Sequence, residues 1–396
     1  MDEEESLEII EKLFEINTKA SYVVILTQLL NNFYNKFLKN KLKKKNIEFE
    51  DLDFSIINKR LKSLDPRKKI TQLNKEFNQL KGYYDGINYD EFLEKFANSN
   101  ANEQFQKFLS NFGFLRDSGN DFSQPSWSET PNIMFKVVRD YKEPMKEKIG
   151  EAELFKIRDN LFNSPISKLL FNRSVKYLEY RQAVTNLYSY GYGLFRKYFI
   201  RISNLFVVKG LLDEIDDIFY MKLDEVKKLI YDSNVAANIR NKILKRKTEM
   251  ENFAHLQLPE IIYDDYLPKP IENDNISEEL EGVPTSKGYY IGPVKVVKGI
   301  NDIDKIKDGD IIAIPYSDVS WTPLFSKAKA LISESGGMLS HCSIVAREYK
   351  IPAIVSVKGA TKLKDDLLIA VDAFKGKVSI LKDDYIIEEE YKDKMI

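Results

Sequence analysis

The hydrophobic pattern of the chain changes near residue 265, and this change limits the folds available more than any other feature. Before that point apolar residues recur every three or four positions, as in Leu7, Ile10, Leu13 and Phe14. This spacing predicts amphipathic helices. After it, short β-rich runs alternate with helix-like pieces, which predicts a compact α/β domain. The expected fold class is therefore multidomain, with a mainly α-helical N-terminal region followed by a C-terminal α/β domain.

The junction between these regions is a polar, acidic stretch that contains two prolines. It reads PKPIENDNISEELEG, a composition typical of an interdomain linker. The predicted parts of the chain are a helical domain over 1–265, a linker over 266–283, an α/β domain over 284–382 and a C-terminal tail over 383–396. Strands are predicted over 289–297, 310–315, 330–333 and 353–357, and a hairpin over 367–381.

Charge balance and the rarity of two residue types exclude several classes of protein. Lys and Arg number 60 against 61 Asp and Glu, and the net charge of −1 argues against nucleic acid as a partner. One cysteine forms no internal disulfide and two histidines build no His-rich metal site, so we assign no metal ligands. The acidic N-terminus lacks a signal-peptide pattern, and no apolar run approaches the roughly 20 residues that cross a bilayer. We expect a cytoplasmic protein with no membrane partner.

The stretch SESGGMLSHCSIVAREYKIPAIV carries the strongest functional signal in the chain. Gly336 and Gly337 follow a predicted strand and permit unusual backbone angles. Ser340 can cap a helix whose first residue is His341. There the helix dipole disfavours imidazolium, and the first backbone N–H groups would stabilise a phosphoryl group on the ring. A histidine that only packs or caps is the alternative interpretation.

The same stretch resembles the active-site motif of the phosphohistidine swivelling domain in PEP-utilising enzymes, a family that includes phosphoenolpyruvate synthase, pyruvate phosphate dikinase, enzyme I and rifampin phosphotransferase. The matching residues are Glu334, Gly336, Gly337, Ser340, His341, Ile344, Val345, Ala346, Arg347, Glu348, Ile351, Pro352 and Ala353. The resemblance implies a β/β/α swivelling domain whose His341 carries the phosphoryl group. Leu339 stands where the family usually has threonine. The residues implied to bind the phosphate or support the site are Gly336, Gly337, Ser340, Glu334 and Arg347.

Two other stretches resemble the branch of the family that contains rifampin phosphotransferase. In SDVSWTPLF, the resemblance places Trp321 and Thr322 near the histidine, and a helix start packed on a sheet is the alternative. FGFLRDSGNDFSQPSWSETP is similar to a loop in which a His-Arg pair occupies the positions of Phe114 and Leu115. If that pair serves the acceptor, this chain has changed its acceptor or weakened the chemistry.

Two arginines of the helical region fit the same branch. Arg181 and Arg196 are predicted to form a phosphate clamp, because guanidinium groups match phosphate oxygens in a bidentate geometry. An ion pair on the helix surface is the alternative for both. The helical region is accordingly predicted to bind the acceptor.

In the family an ATP-grasp domain binds ATP and phosphorylates the swivelling histidine, and no glycine-rich phosphate loop marks such a domain in this sequence. The resemblance therefore implies one component of a split, dikinase-type phosphotransferase. A separate ATP-grasp protein would supply ATP and Mg²⁺, and His341 would relay a phosphoryl group to a small organic acceptor. Without that partner the chain is expected to be inactive. A non-catalytic binding or regulatory protein with this fold is the alternative, and a pure phosphocarrier is a third interpretation.

Overall fold

The computed structural model of the chain describes residues 2–44, 47, 60, 63, 66–80, 87–118, 121–141, 156–157, 159–160, 163–253, 256–257, 269–270, 278–317, 319–337 and 340–381. Contacts within the chain separate two compact units. The first unit consists of Met1–Ser21, Asn120–Ser123 and Gly191–Ile276. The second unit consists of Tyr22–Gly119, Gln124–Tyr190 and Ser277–Ile396.

The N-terminal region is helical, as the spacing of its apolar residues predicts. Its helices are α1 (Glu3–Lys43), α2 (Pro66–Gln79), α3 (Tyr89–Phe96), α4 (Asn100–Phe112), α5 (Pro131–Asp140), α6 (Pro165–Val208), a 3₁₀ helix (Ile215–Tyr220), α7 (Leu223–Tyr231) and α8 (Ala236–Phe253). Local chemistry sets several of the starts. The Asn88 side chain accepts the Glu91 amide at the start of α3, Ser99 does the same for Asn102 at α4, and α5 begins with a proline.

The first unit has an apolar core of its own. Leu7 and Ile10 of α1 pack with one face of α6 and with buried residues of α7 and α8. Phe122 stacks on Phe195 and Phe199, with ring centroids 5.5 and 5.4 Å apart. The short antiparallel pair β1 (Leu256–Gln257) and β2 (Lys269–Pro270) belongs to the residues of this unit.

The second unit contains helices α2 to α5 and the sheet of the α/β part. The sheet is formed by β3 (Glu279–Glu281), β4 (Val283–Ser286), β5 (Tyr289–Val296), β6 (Ile311–Ile314), β7 (Ala330–Ser333), β8 (Ala353–Val355), β9 (Leu368–Asp372) and β10 (Lys377–Ile380). Their order is β3-β10-β9-β5-β6-β7-β8-β4. β5 to β8 are parallel neighbours, and the remaining pairs are antiparallel.

Helix α9 (His341–Tyr349) connects β7 to β8 and contacts β4, β7 and β8. β6 and β7 are buried at every position, which explains why their sequences are continuous apolar runs instead of alternating ones. The predicted fold class, helices followed by an α/β domain, is confirmed.

The organisation of the chain differs from the expectation in two respects. The long helices α1 and α6 contribute to both units, and α2 to α5 share one cluster of buried apolar residues with the sheet. Residues 1–265 are therefore not one compact body. β3 also lies inside the range predicted as linker, because its residues pair with β10. Most of the remaining linker and the tail lie outside the described residues.

Candidate phosphohistidine site

The candidate site is built where β7 leaves the sheet and α9 begins. Ser340 is the N-cap of α9, with its side chain accepting a hydrogen bond from the Ser343 amide, and His341 is the first helical residue. Lys350 ends the helix in the left-handed conformation, just before Ile351 and Pro352. The predicted cap and the predicted position of the histidine are both found.

Gly336 has a backbone conformation and a surrounding that only glycine satisfies. Its φ is +123°, and a Cβ atom at this position would lie 3.1 Å from Cβ and Oγ of Ser340. The Ser356 hydroxyl donates to the Gly336 carbonyl at 2.8 Å. Gly337 is different, because a Cβ there would meet open space. Gly336 thus shapes the loop, whereas Gly337 leaves room beside it.

Hydroxyl groups hold the glycine loop against the first turn of α9. Ser343 donates to the Gly337 carbonyl at 2.8 Å, and its oxygen lies 2.9 Å from that of Ser340. The Ser340 amide also donates to the Gly337 carbonyl at 2.9 Å. These bonds leave little freedom to the backbone on either side of the histidine. Met338 and Leu339 lie outside the described residues.

The imidazole of His341 is half-buried and has a hydroxyl beside one of its nitrogens. Thr322 Oγ1 lies 2.6 Å from His341 Nε2. Thr322 is 1% exposed, so its hydroxyl is held in a desolvated position. If the hydroxyl donates, Nε2 is the unprotonated nitrogen of a neutral ring. Thr322, predicted to lie near the histidine, is therefore in contact with it.

Two of the first backbone amides of α9 already donate to side-chain hydroxyls, so they are less available to a ligand than their place at the helix N-terminus suggests. The Cys342 amide donates to Ser317 Oγ at 2.8 Å, and the Ser343 amide donates to Ser340 Oγ at 3.4 Å. A phosphoryl group on the imidazole would meet these hydroxyls as well as the helix N-terminus. Ser317 and Ser343 were not among the predicted site residues. Ser317 opens the SDVSWTPLF stretch, but only tertiary structure brings it to α9.

The three other residues predicted to support the site have defined partners away from the imidazole. Glu334 accepts the Thr361 amide at 3.0 Å, and Arg347 donates to the Thr285 carbonyl of β4 at 3.1 Å. Trp321 is fully buried, and its indole N–H donates to the Asp117 carbonyl at 2.8 Å. Each of the three joins the site to a neighbouring segment.

The two predicted phosphate-clamp arginines belong to different units. Arg196, in the first unit, donates to the Ser123 carbonyl at 2.6 Å, lies over the Phe219 ring and is 3.9 Å from Asp216. Arg181, in the second unit, forms no hydrogen bond or ion pair with any residue that the structure describes, and burial lowers its pKa. Arg196 therefore has an evident structural use, whereas the contacts among the described residues give none for Arg181.

The residues that replace the family's His-Arg pair contribute to packing. The rings of Phe114 and Tyr190 meet edge to face at 5.6 Å, and Leu115 is buried in the core of the second unit. The next residue, Arg116, is 3% exposed. The two positions at which the resemblance implies a polar pair therefore make apolar contacts in this chain.

Cys342, next to the histidine, is a packing residue. Its side chain is buried, and burial raises the pKa of the thiol to about 12. At neutral pH the thiol is protonated and is no competing nucleophile.

Within the described ranges, no three Asp, Glu, His or Cys side chains are grouped so that they could hold a metal ion. None of the described helices combines the length and the apolar content needed to traverse a bilayer.

Comparison with known proteins extends these observations. Residues 306–376 match the family described as PEP-utilising enzyme, mobile domain. The chain is 28% identical over 328 residues to a rifampicin phosphotransferase of Bacillus cereus, and the match covers 76% of this chain and 37% of that protein. A rifampicin phosphotransferase of Bacillus subtilis is 26% identical, covering 75% and 37%. An uncharacterised phosphotransferase of the same species is 23% identical, covering 74% and 38%.

The chain thus spans a little over a third of the length of these relatives. The matched segment 306–376 contains β6 to β9, the glycine loop and α9 with His341. Residues 306–376 of this chain thus match the mobile domain of the PEP-utilising enzymes, and the histidine at the start of α9 lies within that match.

Proposed function

We propose that the protein is a phosphotransferase in which His341 carries a phosphoryl group between a nucleotide-binding partner and a small organic acceptor. The observation that carries this proposal is the contact between Thr322 Oγ1 and His341 Nε2 at the N-terminus of α9. A neutral imidazole with one unprotonated nitrogen is the form of histidine that acts as the nucleophile in such a transfer. The rifampicin phosphotransferase names of the relatives support the same reaction class.

The first step forms the phosphohistidine. The lone pair of Nε2 attacks phosphorus, the P–N bond forms, and the P–O bond to the leaving group breaks with its electron pair going to that oxygen. The Thr322 hydroxyl turns from Nε2 to a phosphoryl oxygen, and the helix N-terminus offsets negative charge. The glycine loop offers open space at Gly337, because a Cβ atom at this position would have no described atom within 4 Å.

The second step returns the phosphoryl group to an oxygen. A hydroxyl of the acceptor attacks phosphorus, the P–N bond breaks, and the hydroxyl proton passes to solvent or to a base on the acceptor side. Arg181 is the better candidate for a phosphate contact on that side, because it has no partner among the described residues. Arg196 remains a predicted member of the clamp, although carbonyl groups occupy its guanidinium.

The acceptor is proposed to be a hydroxyl-bearing organic molecule bound by the helical residues. Rifampicin is the first compound to test, because two of the relatives bear its name. Phe114 and Leu115 argue for a different acceptor, since they place apolar side chains where the family pattern has a polar pair. A set of rifamycins and simple alcohols would separate these cases.

The partner protein is proposed to supply ATP and Mg²⁺. The described residues include no cluster that fits a metal ion, so no step is assigned to a metal in this chain. The partner is proposed to be a separate ATP-grasp protein, and we propose a cytoplasmic location, where ATP is available. A nucleotide-binding segment joined to this chain would supply the same phosphoryl group.

A non-catalytic role is the second candidate, because Leu115 is buried in the core and the partly buried Phe114 packs against that core. In that case the chain would bind a ligand or partner through a fold inherited from an enzyme. His341 would then tolerate substitution without loss of function.

The deciding experiment is phosphate labelling of the full chain. Wild type, His341→Ala and the control Cys342→Ser are incubated with ATP labelled at the β or γ position, with and without a purified ATP-grasp partner. We expect acid-labile, alkali-stable label on wild type and Cys342→Ser, but none on His341→Ala. Label from the β position would identify the dikinase route. A partner that binds the chain without labelling it would contradict the proposal and support the second candidate.

A further inference from the structure

The helices α2 to α5 and the α/β part of the second unit meet along a defined boundary. Arg67 pairs with Glu348, Lys136 Nζ lies 2.7 Å from the Asp304 carboxylate, and the hydroxyls of Tyr141 and Tyr349 are 3.4 Å apart. Buried apolar residues from both sides form one continuous cluster. The α/β part is therefore docked on these helices.

Asp117 makes the contacts at this boundary that lead toward the histidine. Its carboxylate accepts the Ile300 amide, with N–O distances of 3.0 and 3.2 Å, at the start of the 3₁₀ helix Ile300–Lys305. Its backbone carbonyl accepts the Trp321 indole N–H at 2.8 Å. One residue of the helical side thus holds two separate segments of the α/β side.

Gly299 makes room for this carboxylate. A Cβ atom at residue 299 would lie 2.3 Å from Asp117 Oδ2, closer than Cβ contacts ever come. The backbone of Gly299 is extended, with φ −178°, and any residue could adopt it. The need for glycine here comes from the close approach of Asp117 and not from the backbone conformation.

Asp117 is connected to the imidazole of His341 through Trp321 and Thr322. Trp321 is fully buried and is followed in the chain by Thr322. The hydroxyl of Thr322 lies 2.6 Å from His341 Nε2. A change in the position of the indole moves the backbone that carries this hydroxyl, so the docking contact and the histidine contact are mechanically linked.

We propose that Asp117, accommodated by Gly299, is a docking lock that holds the mobile domain on the helices and positions Thr322 against His341. Asp117 is a positioning residue in the reaction proposed above, and the inference rests on that reaction only for its kinetic consequence. With the lock closed, Nε2 is held in the geometry for transfer on the helical side. With the lock open, Trp321 loses its acceptor and Thr322 loses its fixed position.

The lock is tested on the full chain by nuclear magnetic resonance. The sequence has two tryptophans and two histidines, so the indole and imidazole nitrogens give few signals, which Trp127→Phe and His341→Ala assign. We expect Asp117→Ala and Gly299→Ala each to speed hydrogen exchange of the Trp321 indole at least tenfold and to shift His341 Nε2. In the Asp117→Ala background, Gly299→Ala should add nothing, because the atom it strikes is gone. Lys136→Gln, at an exposed ion pair of the same boundary, is the control and should change exchange less than twofold.

Transfer kinetics complete the test. The lock variants should slow transfer from phosphorylated His341 to the acceptor at least tenfold, while Lys136→Gln transfers at the wild-type rate. Unchanged exchange of the Trp321 indole in both single variants, or additive effects in the double variant, would overturn the lock. Faster exchange without a shift of His341 Nε2 would overturn the positioning role. If the wild type takes no label, yet the lock variants show the expected spectral changes, the proposed function is refuted and the lock is supported.

Discussion

Thr322 and His341 are 19 residues apart in sequence, yet the threonine hydroxyl lies 2.6 Å from the Nε2 atom of the imidazole. Leu339 occupies the position at which the family usually carries a threonine beside the histidine. The hydroxyl beside the imidazole is supplied by Thr322, which lies in the segment between β6 and β7 and not in the glycine loop. The contact connects the imidazole of His341 to the segment that contains the buried Trp321.

Replacing Thr322 tests this contact directly. Thr322→Val keeps the shape of the buried side chain and removes the hydroxyl, so phosphorylation of His341 should slow about tenfold, equivalent to about 1.4 kcal/mol. Thr322→Ser retains the hydroxyl and should stay within about threefold of wild type. Rates are measured by acid-labile label over time. Equal rates for the valine and serine variants would show that the hydroxyl does not act on Nε2.

The two glycines of the loop should respond differently to alanine. Gly336→Ala forces a side chain into a φ of +123° and toward Ser340, so it should destabilise the second unit by about 1–3 kcal/mol. Gly337→Ala meets open space and should cost about 1 kcal/mol or less. Both tryptophans lie in the second unit, so urea unfolding followed by tryptophan fluorescence measures these differences. A larger effect at Gly337 would contradict the geometry of the loop.

Two substitutions of Ser340 can distinguish its role as the helix cap from its proposed role in phosphate binding. Ser340→Ala removes the cap of α9 and should cost about 1 kcal/mol. Ser340→Asp preserves the cap but sets a negative charge beside the phosphoryl group, so it should leave stability near wild type and slow phosphorylation about tenfold, or about 1.4 kcal/mol. Unfolding and labelling are measured on the same samples. A fully labelled aspartate variant would show that the phosphoryl group sits away from the cap.

Glu225 should govern the acid stability of the first unit. Hydrogen bonds from Arg246, together with the Lys222 amide and Lys242, lower its pKa to about 2 despite the opposing effect of burial. Since the folded pKa is below the ordinary value of 4.5, the stabilisation is complete above about pH 4.5 and is lost as pH falls toward 2. Glu225→Gln should cost on the order of 1–2 kcal/mol at pH 7 and converge with wild type in strong acid.

Circular dichroism during urea unfolding at several pH values measures this dependence. Glu249→Gln is the matched control, because the Lys245–Glu249 pair is exposed on α8 and should change stability by less than about 0.5 kcal/mol. A constant difference between Glu225→Gln and wild type across the acid range would contradict the lowered pKa.

Local features of the site could be predicted because they depend on neighbours in sequence. Ser340 as a cap, His341 as the first helical residue and the end of α9 before Pro352 follow from capping chemistry and from proline. Strands β6 and β7 were also predicted, from the short β-rich runs in their sequences, whereas their parallel pairing was not. These features need no knowledge of distant segments.

Contacts between distant segments could not be predicted in the same way. Ser317 reaches the Cys342 amide, and Asp117 reaches Ile300 and Trp321, only after the chain has folded. The split of the helical region into two units depends on α1 and α6 being long enough to contribute to both, and apolar spacing reveals a helix but not its partners. Glu334 was assigned to the site from its place in the motif, whereas its carboxylate binds the Thr361 amide.

The burial of Cys342 has a practical consequence for measuring motion of the mobile domain. It is the single cysteine of the sequence, and its protonated, inaccessible thiol should ignore maleimide dyes at neutral pH. The natural chain should therefore take up no maleimide dye of its own, so cysteines introduced for labelling can be labelled selectively. A pair of cysteines introduced at exposed positions, one in each unit, would take donor and acceptor fluorophores without disturbing the residue beside His341. Single-molecule energy transfer could then test whether the mobile domain moves when a phosphoryl donor is added.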